Sequence, residues 1–148
     1  MDLRRRLLVR GTLCAATAPI AGFVLADDRI AFAELYEGNG ILGLKFSEKL
    51  RRHAGQRVEM AGFMAPPLKA EAGYFVLTRR PLALCAFCQT DADWPADIVV
   101  VLLSAPQSVQ PHHQAIRVNG RVEIGSRRDA ESGFVSQVRL VDARYVQP

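Results

Sequence analysis

Cys85 and Cys88, two residues apart, are the side chains of this 148-residue chain best suited to chemistry. They lie in residues 81–94, PLALCAFCQTDADW, between an aromatic strand-like run (Tyr74, Phe75, Val76, Leu77) and an apolar run from Ile98. Two thiols held this closely support three kinds of chemistry. They can close a disulfide, which an oxidising compartment favours. They can supply two soft ligands to Zn²⁺ or Cu⁺, half of a tetrahedral shell. They can also exchange disulfides with another protein. A metal needs further donors, and His112 and His113 are the nitrogen candidates, with Asp91 and Asp93 as oxygen alternatives. Redox pairs usually open a long helix whose N-terminus lowers a thiol pKa, whereas here the acidic Asp91-Ala92-Asp93-Trp94-Pro95 follows. Arg79 and Arg80 offset part of that acidity.

The remaining polar residues give no enzyme signature. The sequence holds no nucleophile–histidine–acid set, glycine-rich phosphate loop or singled-out carboxylate pair. His53, beside Arg51 and Arg52, is expected on the surface near a helix end; Trp94 is expected as a lid over a sheet edge. Met60 and Met64, at strand spacing, are expected in the core rather than as copper ligands.

The elements that must position these residues are mostly strands. Ser47 is placed to cap a helical turn that Gly55 stops. Residues 57–64 alternate, with Val58, Met60 and Gly62 on one side, and Gly62 suggests a bulge. Residues 73–79 make a second strand. Residues 97–103, apolar without alternation, make a third that is buried on both faces. Residues 106–113 form a loop. Asn119-Gly120 would suit a hairpin, but each arm would be very short, so 115–124 is expected as one strand bent at Gly120. Residues 127–133 form a polar connection, and 134–146 the last strand. The fold class that follows is all-β with little helix: a five-stranded OB-like barrel preceded by one short helix.

Residues 1–26 have the pattern of an export signal: Arg4, Arg5 and Arg6, an uncharged stretch ending in Val24-Leu25-Ala26, then polar Asp27-Asp28-Arg29. Arg5-Arg6 followed by Leu7-Leu8 also suits the twin-arginine route, beside the ordinary one. An uncleaved inner-membrane anchor is the alternative, although the apolar run is shorter than the roughly 20 residues of a spanning helix. Cys14 falls within the signal, and Leu13 before it is too large for a lipidation site. Cleavage leaves residues 27–46 as an irregular lead-in, with Ile30, Phe32, Leu35 and Tyr36 packing loosely, and 47–148 as the domain. It also removes four of 19 basic and one of 15 acidic residues, so the mature net charge is +1. A balance so near zero argues against nucleic acid as a partner.

Residues 53–67, HAGQRVEMAGFMAPP, then Tyr74-Phe75-Val76-Leu77, Cys85 and Val118-Asn119-Gly120-Arg121-Val122 together resemble a family of exported bacterial proteins of unknown function. The family opens with G-x-x-V-x-x-x-G-[FY]-x-x-P, matched by Gly55, Val58, Gly62, Phe63 and Pro66, and closes with V-x-G-x-[VL]. Many relatives carry one cysteine and a proline-rich stretch; this chain carries two cysteines followed by Gln89-Thr90-Asp91. The resemblance implies an OB-like barrel in the periplasm, often encoded beside ABC-type permeases and in some cases linked to metal supply, with no assigned catalytic residue. The combined expectation is a non-catalytic binding or accessory module, holding Zn²⁺ or Cu⁺ through Cys85, Cys88 and His112 or His113, for an ABC-type permease or another envelope protein. A periplasmic thiol–disulfide redox protein using Cys85 and Cys88 is the alternative.

Overall fold

A computed structural model of the chain describes residues 28–40, 43–65, 73–82, 96–130 and 135–147. A 3-10 turn at Phe32–Glu34 leads into two strands, β1 (Tyr36–Gly40) and β2 (Gly43–Phe46), and a short helix, α1 (Glu48–Arg52). Five more strands follow: β3 (Arg57–Met64), β4 (Tyr74–Thr78), β5 (Ile98–Leu103), β6 (Ala115–Arg128) and β7 (Val135–Val146). The chain is mostly β with few helical residues, as expected.

β1 and β2 pair with each other, while the five later strands hydrogen-bond in the cyclic order β3-β4-β5-β7-β6, so this sheet closes on itself. The seam between β3 and β4 is short, with only Phe63–Thr78 and Met64–Leu77 paired among the described residues, so β4 leaves the earlier part of β3 open on that side. All its pairings are antiparallel except β5 with β7, which run parallel. One side of each strand turns into a common core that includes Met60, Phe75, Leu77, Val99, Val101, Ile116, Val118 and Leu140. Tyr145 meets Phe75 edge-to-face there, with ring centres 5.5 Å apart. Ala65, Val76 and Ile98 form a small second cluster. Ile98, Val99, Val100 and Val101 are all buried, which accounts for the missing alternation in β5.

Local signals explain several boundaries. Ser47 Oγ accepts a hydrogen bond from the Leu50 N–H, as an N-cap does, and Gly55 beyond the helix has φ +81°. Residues 115–128 form one strand, and its register against β7 slips twice. At the first slip, after Asn119, the extra residue lies in β7, where Asp142 takes φ +49°. At the second, after Ile124, it lies in β6, where Gly125 takes φ +105°.

Four details differ from expectation. Residues 28–40 and 43–46 are not irregular and loosely packed: they carry the 3-10 turn and the paired strands β1 and β2, and Ile30, Phe32 and Leu35 are buried in the main core. The cause is non-local. β4 pairs with the end of β3 at Phe63 and Met64, and the Ile30 N–H reaches the Glu59 carbonyl lower on β3, beside the parallel bridge Arg29–Glu59. Gly62 marks no bulge, because β3 pairs with β6 without interruption from Arg57 to Phe63. Strand β6 runs on to Arg128, into the expected polar connection. His53 is buried rather than superficial, with Nδ1 2.8 Å from the Lys49 carbonyl at the helix end.

Candidate functional site

The 3-10 turn and the β1–β2 pair lie near the point where β4 ends and β5 begins, leaving a groove of about 400 Å³. Phe32, Tyr36 and Leu44 line it from the N-terminal side, and Arg79, Ala96 and Asp97 from the sheet. Tyr36 is braced by Phe46, its ring stacked at 5.7 Å between centres. The Arg79 backbone N–H donates to the Asp97 carbonyl at 3.1 Å, and the Arg80 guanidinium lies 3.8 Å from the Asp97 carboxylate. The Arg79 side chain has no hydrogen-bond or ionic partner among the described residues.

Two carboxylates tie the N-terminal wall of the groove to helix α1. Glu34 accepts a hydrogen bond from the Ala31 N–H at 2.8 Å and pairs with Lys49 Nζ at 2.9 Å. These contacts, the backbone donor first, hold its pKa below the ordinary glutamate value. Glu37 accepts from the Glu48 N–H at the helix start and lies near Arg51 and Lys45, and its pKa is likewise lowered, chiefly by that backbone donor. Helix α1 therefore offers a backbone N–H to one carboxylate and a lysine to the other.

The residues singled out for chemistry are partly placed. Cys85, Cys88, Asp91, Asp93 and Trp94 lie outside the described residues. Their connection leaves β4 at Thr78 and re-enters at Ile98, and the groove residues Arg79, Ala96 and Asp97 are at its two roots. His112 is half-buried and His113 exposed, in a turn just before β6, with rings perpendicular and 5.4 Å apart. Cross-strand pairs link the two regions: Ala115 opposite Phe63, Phe63 opposite Thr78, Thr78 opposite Ile98. The root of the histidine turn is thus two strands, about 10 Å, from the root of the cysteine connection. Among the described residues no three His, Cys, Asp or Glu side chains are grouped to hold a metal. A site using His112 or His113 would therefore have to draw its other donors from the cysteine connection. Met60 and Met64 are buried in the core.

The groove itself was not legible as a site in the sequence. Phe32, Tyr36 and Leu44 show no periodicity that ties them to Arg79 and Asp97, and only the N-terminal chain's bonding to β3 brings them together. The one local signal was the pair Arg79-Arg80 ahead of the cysteines.

No protein-family model and no curated protein sequence matches this chain. Its fold is similar to the crystal structure of a DUF3299 family protein from Pseudomonas aeruginosa PAO1, with a TM-score of 0.52 at 13% identity over 81% of this chain and 95% of the other. At that identity the likeness is one of fold.

Proposed function

We propose that this chain is an exported accessory module that binds a soft metal ion, Zn²⁺ or Cu⁺, where its cysteine connection and histidine turn leave the sheet. The observation that supports the reading is the row Ala115–Phe63–Thr78–Ile98, in which the root of the histidine turn lies two strands, about 10 Å, from the Thr78 root of the cysteine connection. In it Cys85 and Cys88 are the thiolate donors and His112 or His113 the nitrogen donor, a set whose softness suits these ions over Mg²⁺ or Ca²⁺. The groove beside the roots would take the rest of a metal-carrying ligand or a partner's side chain. The closed sheet is read as an OB-type barrel, supported by its five strands and their cyclic order with one parallel pair. The resemblance to exported proteins encoded beside ABC-type permeases supports a periplasmic place and an envelope transport protein as partner.

The redox alternative is separated by activity. Purified mature protein should reduce insulin no faster than background, and elemental analysis should find one metal ion per chain, lost in Cys85→Ser. Insulin reduction that disappears in Cys85→Ser would reverse the assignment in favour of thiol–disulfide exchange.

A further inference from the structure

The outward side of β3, β6 and β7 carries charge that the fold does not neutralise. These three strands contain seven arginines and no lysine. The carboxylates beside them are each engaged: Glu59 by Arg29 at 3.0 Å, Asp142 by Arg121 at 3.3 Å, and Glu123 by Arg121, Arg127 and Arg139 at 3.3–3.5 Å. Arg57, Arg117 and Arg144 are left without a carboxylate among the described residues. Arg57 donates only to Asn119 Oδ1 and, at 3.5 Å, to the Asp142 carbonyl, and Arg144 only to Ser104 Oγ.

The three cluster around Asn119. Arg144 stands directly opposite it on β7, Arg57 bonds to it from β3, and Arg117 precedes it by two residues on the same face of β6. Each is thus a direct, diagonal or next-but-one neighbour of Asn119, about 5–8 Å from it, with Arg57 and Arg117 on opposite sides of it along the strands. Arg117 is half-buried, and its Nε is buried without a hydrogen-bond partner among the described residues. A desolvated guanidinium donor left unmet is costly, and its planar fork matches an oxyanion. Its register neighbours are Ala61 and Val146, both exposed, so an apolar rim borders the charge.

We propose that this face docks an acidic segment of a partner protein, with its glutamate or aspartate carboxylates received along the row formed by Arg57, Arg117 and Arg144. Arginine without lysine, next to exposed apolar side chains, is the composition of protein interfaces. An anionic membrane is less well matched, because surface adhesion uses clusters of four to eight bases and three carboxylates are interspersed here. The inference does not depend on the cysteine connection or on metal.

The test is titration of the mature protein with a labelled oligo-glutamate peptide, followed through the arginine Nε–H resonances. The expected result is movement confined to Arg57, Arg117 and Arg144, weakening with salt, while Arg29 and Arg52 stay still. Arg117→Met should weaken binding about tenfold, as loss of a charge-assisted contact does. Its melting temperature should hold or rise, because an unmet donor is removed. If that variant fails to fold, Arg144→Gln, at an exposed position, should show the same loss of binding. Equal shifts at all arginines, no shifts, or unchanged binding by the folded variant would overturn the proposal. So would a stronger response of the same three resonances to inorganic phosphate or phosphatidylglycerol vesicles at matched charge.

Discussion

A Cβ on Gly62 would stand 2.6 Å from the Thr78 carbonyl oxygen and 3.0 Å from Leu77 Cγ, so glycine is needed there for close approach of β4 to β3. Gly62→Ala should therefore destabilise the protein by about 1–3 kcal/mol in urea denaturation, as overpacking does. Its effect should be largest at the β3–β4 seam, which has the register pairs Phe63–Thr78 and Met64–Leu77. The sequence flagged this glycine but not its cause, because a bulge and a close approach leave the same mark in one strand. Arg139 left no mark at all. It is buried and donates through Nη1 to the carbonyls of Gly125 and Ser136 and to Ser136 Oγ, at 2.9–3.0 Å, bracing the bulge in β6. Burial lowers its pKa, with Glu123 opposing. Arg139→Lys should cost about 1–3 kcal/mol, because a single ammonium cannot serve both the Nη1 partners at Gly125 and Ser136 and the Nε contact to Glu123.

Among the elements, helix α1 and the N-terminal wall stand together. Glu34 and Glu37 have lowered pKa values in the folded state, so the unfolded chain binds their protons more readily. Their contribution is therefore present above the ordinary glutamate range and is lost as pH falls through the lowered folded values. Glu37 is exposed and Glu34 only half-buried, which keeps the effect small. Amide exchange in residues 43–50 should accelerate below about pH 4 relative to β6, and Glu34→Gln should remove much of that acceleration. Leu35→Ala tests the wall's packing: Leu35 is fully buried in the main core, and its truncation should cost about 2–5 kcal/mol by global unfolding. A loosely attached lead-in would show far less. The strands after residue 56 were legible because each carries its own alternation or apolar run between glycine and proline breaks. Residues 28–40 and 43–46 were not, since Ile30, Phe32 and Leu35 follow neither a period of two nor one of 3.6, and what orders them is the stretch of β3 around Glu59.

For the molecule as a whole, the strand content and short capped helix could be read from the sequence, while the cyclic order with its parallel β5–β7 pair could not. That order depends on which strands meet across the core, as when Tyr145 of the last strand packs on Phe75 of the second strand in the closed sheet. It is also what roots the histidine turn near the cysteine connection, although residues 79–95 and 104–114 leave opposite ends of β5. The central claim is that these two connections share one soft metal. X-ray absorption at the zinc or copper edge, on protein purified from its native compartment, tests it most directly. The account predicts two sulfur neighbours, at about 2.3 Å for zinc, and at least one imidazole nitrogen at about 2.0–2.1 Å, with the nitrogen lost in His112→Ala combined with His113→Ala. Absence of a bound metal, or a shell of oxygen and nitrogen alone, would contradict it.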